Sequence, residues 1–170
     1  VYADAFQMTG NERYLWMARR FGSDFLFDDL SHRVDRLDNL HANTQVPKAV
    51  GYQRTAEVAG DEAYATAGLF FWETVVNNRS LSFGGNSRRE HFPSAEDCIS
   101  YSEEREGPES CNTYNMLKLS SGLFRMRPQA RYADYYERAL FNHILSTQQP
   151  GHGGYVYFTP ARPAHDRVYS

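Results

Sequence analysis

Glu109 and Cys111 stand two residues apart in the run Gly107-Pro108-Glu109-Ser110-Cys111-Asn112-Thr113-Tyr114-Asn115-Met116, where an apolar-periodic helix begins. A carboxylate and a thiol so placed can bring an oxygen and a sulfur to one metal ion, and a helix N-terminus favours the thiolate. Three readings are open for the pair. It is half of a zinc site, a helix-start carboxylate beside an inert cysteine, or one end of a disulfide to Cys98, the only other cysteine. Structural zinc takes four protein ligands, so two leave a site unfinished.

A second carboxylate, Glu90, lies in Phe83-Gly84-Gly85-Asn86-Ser87-Arg88-Arg89-Glu90-His91-Phe92. Beside Phe92 it would be partly desolvated, which suits a group that holds a proton and then donates it. Arg88 and Arg89 offer the competing reading of a surface ion pair. His41 stands among polar residues at a helix start, where it either binds a sugar hydroxyl or caps backbone. Glu137 and His143 fall on a long helix and read as exposed. Tyr157 lies in Tyr155-Val156-Tyr157-Phe158, a predicted short strand, and reads equally as core. No phosphate-cradling glycine loop or His-Glu-x-x-His helix occurs.

These residues depend on helices whose pattern repeats. Gly10-Asn11-Glu12-Arg13-Tyr14 is echoed fifty residues later by Gly60-Asp61-Glu62-Ala63-Tyr64. Apolar positions then follow in one register: Tyr14, Met17, Ala18, Phe21 and Phe25 after the first, and Tyr64, Ala67, Gly68, Phe71 and Val75 after the second. Asn11 and Asp61 are predicted N-caps, and Gly10 and Gly60 are predicted helix ends. A helix from about Thr44 to Gly60 carries Val46, Ala49, Val50 and Ala56, with Pro47 in its first turn. A further hairpin runs from about Ser110 to Met126, breaks at Pro128, and resumes from about Gln129 to Thr147 on the stripe Ala133, Tyr136, Leu140 and Ile144. Recurring helix pairs must stack to bury both faces, so the expected fold class is all-α, an array or toroid of helical hairpins. Leu81 to Glu106 is a long polar connection, of the kind that often carries function.

Composition bounds the function. With 12 Tyr, 11 Phe and 2 Trp, the chain has rings enough both for a core and for stacking on sugars. A net charge of −3 with scattered basic residues excludes a nucleic-acid partner on electrostatic grounds. No run approaches the roughly 18 apolar residues of a membrane helix. The chain opens at Val1 in mid-pattern, so the compartment, bacterial periplasm or cytoplasm, is left open.

Taken in order, the runs LHANTQVPKAVGYQRTAEVAGD, FGGNSRREHF, GPESCNTYNMLKLS, YADYYERALFNHIL and GGYVYFTPARP resemble the β-L-arabinofuranosidase-type glycoside hydrolases of families 127 and 146. The resemblance implies an (α/α)6-barrel catalytic domain, of which residues 1–170 would be a part truncated at both ends. It implies a retaining exo-glycosidase that releases terminal L-arabinofuranose-type sugars from plant glycans. In that family zinc is held by one Glu and three Cys, one of them the nucleophile. Carried over by motif, Glu90 is the acid/base, Glu109 and Cys111 are two zinc ligands, and His41, Glu137 and Tyr157 contact sugar. The remaining ligands, an adjacent Cys-Cys pair, are expected beyond Ser170, so the zinc site is incomplete here and the fragment inactive by itself. Cys98 matches no family ligand. Two other readings compete: a non-catalytic sugar-binding α/α-toroid, and another α/α-barrel carbohydrate enzyme such as a lyase or epimerase, which would lean on His41 more than Glu90. An incomplete barrel also exposes apolar helix faces, which leads to an expectation of self-association.

Overall fold

The computed structural model describes residues 1–22 and 25–169, without the side chains of residues 98, 99 and 101. Helices α1 (Tyr2–Thr9), α2 (Glu12–Gly22) and α3 (Phe25–Ser31) lead into the hairpin of α4 (Ala42–Ala59) and α5 (Glu62–Asn78). The short α6 (Cys98–Glu103) interrupts the long connection, and α7 (Ser110–Met126) then pairs with α8 (Ala130–Ala139). Among the described residues none of these helices is long and apolar enough to cross a membrane.

The helix boundaries follow local chemistry. Gly10 and Gly60 close α1 and α4 at φ +67° and +64°, a left-handed geometry that costs glycine least. The Asp61 carboxylate caps α5 by accepting the Tyr64 N–H, and Asn11 Oδ1 accepts the Arg13 N–H at 3.0 Å. Pro47 lies inside α4, past the first turn expected for it, because that helix starts two residues earlier, at Ala42.

Helix α4 is the centre of the array, packing on α5 and on α7. Its buried Val46, Ala49, Tyr52 and Ala56 meet Ala67, Phe71 and Val75 of α5 and Met116, Leu119 and Leu123 of α7 in one core. The two approaches are close. A Cβ on Gly68 would come within 3.2 Å of the Gln53 backbone nitrogen, and the Gln53 side chain lies directly over Gly122. Trp72 ties α5 to the second hairpin, donating to Ser120 Oγ at 2.8 Å while its ring meets Tyr132 edge-on at 4.9 Å. Such a satisfied indole keeps the apolar gain of burial without an orphaned N–H.

Four expectations are corrected. Phe25 begins α3 rather than ending α2, and α2 buries only Leu15, leaving Phe21 69% exposed. On α8 and the turn after it the inward stripe is Tyr132, Tyr135, Ala139 and His143, one residue earlier than expected. Both stripes share the spacing three, four and four, so periodicity cannot choose between them; the rings that reach Trp72 do. The helix also does not continue uniformly to Thr147: it widens into a π-helical turn over Leu140–Ile144 and tightens to 3-10 over Leu145–Thr147.

The fourth concerns the short strand predicted at Tyr155 to Phe158. Tyr155 makes an isolated bridge to Gln148, and Phe158 makes another to Glu109. The segment is extended but pinned to a different partner at each end, so no ladder forms.

Candidate active site

Two extended segments set the first carboxylate. The Phe92 N–H donates to Leu40 O at 2.9 Å, the Asn39 N–H to Phe92 O at 3.0 Å, and the Ala42 N–H to Glu90 O at 2.8 Å. Arg88 and His91 exchange both backbone bonds, at 2.8 and 2.9 Å, across a two-residue loop. The loop residues Arg89 and Glu90 have φ +47° and +68°, the left-handed pair of a type I′ turn usually built from Asn and Gly. Neither residue is glycine, so strain of the order of 1 kcal/mol or more each is held at Glu90 and its neighbour. Buried Arg79 locks the base of this pair, reaching Asp35 and Asp38 at 2.7 Å before His41 and the Pro93 carbonyl after Glu90.

The Glu90 carboxylate is about one-third exposed and faces two groups. Tyr157 Oη donates to its Oε1 at 2.6 Å, and His41 Nε2 stands 3.7 Å from Oε2. His41 is the N-cap residue of α4 but makes no side-chain cap. Its Nδ1 meets Thr44 Oγ1 at 3.2 Å, and its ring packs edge-on against His91 at 5.2 Å. The expected ion pairing of the neighbouring arginines goes elsewhere: Arg89 reaches Glu104 and Glu106, and Arg88 reaches Asp97.

The second carboxylate, Glu109, is 6% exposed at the start of α7. Its N–H donates to Ser87 Oγ at 3.3 Å, which ties it to the loop that carries Glu90. Its carboxylate does not cap the helix and instead accepts the Cys111 thiol. Burial, then the bond and charge of Glu109, push that thiol up to about 12, against the pull of the α7 backbone N–H groups. Both influences oppose the thiolate that a helix start favours. The disulfide reading involves Cys98, whose side chain lies outside the described residues; Cys111 is a free thiol.

Tyr157 joins the two halves. It is 58% exposed rather than core, and its phenol is pushed up first by the Glu90 bond, then by burial and by Glu109. Glu90, Glu109, Cys111, His41 and Tyr157 thus form one cluster. Glu137 is exposed on α8 and lines shallow grooves with Ser120, Phe124 and Tyr136 and with Phe141 and Asn142. No contact joins it to the cluster among the described residues. Nor is any group of three or more His, Cys, Asp or Glu gathered there as for a metal ion.

Two histidines escaped the sequence reading. His91 lies in the Arg89-Glu90-His91-Phe92 motif itself and packs on His41. His143, expected to be exposed, is fully buried, with its rings of contacts at Thr113, Thr159 and Phe83. The signal for His143 was its place on the Tyr132, Tyr135, Ala139 stripe.

Comparisons with known proteins agree on one relationship. The family described as "Beta-L-arabinofuranosidase, GH127 catalytic domain" matches residues 1–170. A GH127 β-L-arabinofuranosidase from Geobacillus stearothermophilus T6 superposes with a TM-score of 0.74 at 21% identity, over 91% of this chain and 29% of that one. The GH127 β-arabinofuranosidase BT3674 gives 0.69 at 22% identity, over 94% and 26%. A structure described as a glycoside hydrolase gives 0.72 at 17%, over 99% and 32%. A search of curated proteins finds no match. The shared fold is part of an α/α barrel, and this chain spans about 30% of the length of these solved structures.

Proposed function

The chain belongs to the GH127 β-L-arabinofuranosidase catalytic-domain family, and on that premise we propose that residues 1–170 supply the acid/base half and part of the metal half of a glycosidase site. The observation that carries this reading is the Tyr157 phenol, bonded to Glu90 at 2.6 Å and facing Glu109 beside Cys111. The fixed donor orients the Glu90 carboxyl and leaves its other oxygen facing the cluster, an arrangement an acid/base can use. With Oε1 held by Tyr157, the mobile proton belongs on Oε2, the oxygen turned toward His41.

The substrate is a glycan with a terminal L-arabinofuranose-type sugar. Glu90 Oε2 delivers its proton to the departing glycosidic oxygen and later takes one from the attacking water, as a retaining mechanism requires. His41, presented at the cluster by the α4 start, holds a sugar hydroxyl, and Tyr157 keeps the Glu90 carboxyl in one orientation. Glu137 is a further sugar contact from α8. Glu109 and Cys111 fit half of a zinc site, since oxygen and sulfur donors suit that ion and the thiol proton lies where a cation would replace it. Zinc, when bound, supplies the charge that keeps thiolate ligands ionised at neutral pH. The further ligands and the nucleophile are cysteines outside this chain, which is inactive without them.

The test begins with the polypeptide encoded by the whole reading frame around residues 1–170. It should hydrolyse 4-nitrophenyl β-L-arabinofuranoside, bind one zinc per chain, and lose about 100-fold or more in kcat as Glu90→Gln. Hydrolysis by residues 1–170 alone, or tight stoichiometric zinc in that piece, would overturn the division of the site. Undiminished activity in Glu90→Gln would overturn the acid/base assignment.

A further inference from the structure

Residue 143 sits in the π-helical turn that follows α8, a widened turn of the kind that recurs at functional sites. Its imidazole is fully buried and touches three separate segments. Nδ1 bonds Thr113 Oγ1 at 2.8 Å, in the turn that carries Glu109 and Cys111. Nε2 bonds Thr159 Oγ1 at 3.1 Å, two residues after Tyr157. Phe83, at the start of the loop leading to Glu90, packs edge-on against the ring at 5.3 Å. We propose that His143 is the positioning residue of this site, one buried ring that fixes the Glu109–Cys111 turn, the Tyr157 segment and the Glu90 loop relative to one another.

The proposal rests on the glycosidase reading for its kinetic part only. The neutral imidazole has one donor and one acceptor nitrogen, and hydroxyls can be either, so both threonines are satisfied by one tautomer. Burial first, then the Arg167 charge, hold the ring down at about 4, against the Pro108 carbonyl, so it stays neutral while the site works. The Thr159 segment is held further by its N–H to Pro108 O at 2.9 Å and by Gly107, whose missing Cβ leaves room for the Thr159 carbonyl. His143 is thus bonded to both walls that meet at Glu109 and Phe158.

Three variants separate positioning from mere stability. An Asn amide at 143 reaches the Nδ1 position and keeps the Thr113 bond; a Gln amide reaches the Nε2 position and keeps the Thr159 bond; Leu keeps neither. Cys111 alkylation by iodoacetamide, mapped by peptide mass, reads the Glu109–Cys111 turn in the 170-residue chain. Hydrolysis of 4-nitrophenyl β-L-arabinofuranoside per folded molecule reads the whole site in the polypeptide from the complete reading frame. His143→Leu should raise the alkylation rate about tenfold and lower kcat about 100-fold with KM little changed, the scale of a 1 Å misplacement. His143→Asn should keep the slow alkylation yet lose kcat, and His143→Gln should show fast alkylation. Variants that lose only melting temperature, with wild-type alkylation and wild-type kcat per folded molecule, overturn the proposal. If the wild type hydrolyses nothing, the glycosidase reading fails, and the alkylation series still decides whether His143 positions the turn.

Discussion

Acid should loosen this fold through His143. The ring is buried, and burial together with the Arg167 charge holds it down at about 4, compared with an ordinary value of 6.5. Above 6.5 the ring is neutral in both folded and unfolded chains and contributes no pH dependence. As the pH falls, the unfolded chain takes up the proton first, so stability is lost progressively from 6.5 down to about 4 and no further below it. Those limits correspond to about 3 kcal/mol in full, with roughly 2 kcal/mol of it gone between pH 7 and pH 5. Against a total of about 5–15 kcal/mol for a domain, that is a large share. The assay is urea unfolding of the 170-residue chain, followed by helical circular dichroism at half-unit steps from pH 7 to pH 5. His143→Asn removes the titrating group and keeps the Thr113 bond, so its stability should fall by about 2 kcal/mol less over the same range. Parallel curves for the two chains would refute the reasoning, because carboxylate titration is common to both.

Arg89→Gly should stabilise the chain by about 1 kcal/mol in urea unfolding, since glycine accepts φ +47° freely and the exposed ion pairs lost are worth little. Gly107→Ala should cost about 2 kcal/mol or more and speed proteolysis in the 155–165 segment, because its Cβ would overlap the Thr159 carbonyl oxygen, a backbone atom that cannot swing aside. Tyr157→Phe, which removes the 2.6 Å bond to Glu90, should lower kcat about tenfold while leaving the melting temperature within about 1 °C, as the ring is mostly exposed. Arg79→Met should destabilise by about 2 kcal/mol, measured by urea unfolding, because the buried Pro93 carbonyl loses its donor while Asp35 and Asp38 stay open to water.

The helical hairpins were legible because their signals are local. Gly60-Asp61 ends one helix and caps the next, and Pro128 stops α7 where its pattern runs out. The stripe of α8 was not legible, because two stripes of equal spacing lie side by side and a polar His143 hides the correct one. At the site, motif likeness brought out Glu90, Glu109, Cys111, His41 and Tyr157, and the fold gathers them. Their order in the chain carries no hint of which touches which. Tyr157 lies 67 residues from Glu90, and tertiary links such as the Phe158 bridge to Glu109 and the Thr159 N–H to Pro108 O bond bring them together. At Cys111 helix-start chemistry is local, whereas the burial that opposes the thiolate is tertiary and leaves no mark in the sequence.

The way the cluster is stitched has a thermal consequence. The Tyr157 segment meets the start of α7 through an isolated bridge, Glu109 to Phe158, and a flanking Thr159–Pro108 bond, rather than through a cooperative ladder or helix. The Glu109–Phe158 bridge joins residues outside the α4–α5–α7 core cluster, so the Tyr157 segment is a unit of local melting with a smaller opening free energy than the whole. The amide proton of Thr159 should therefore exchange with solvent faster than those in the middle of α4. On warming, catalytic geometry would disappear while the helical signal is still intact, and the temperature that limits function would lie below the one that limits the fold.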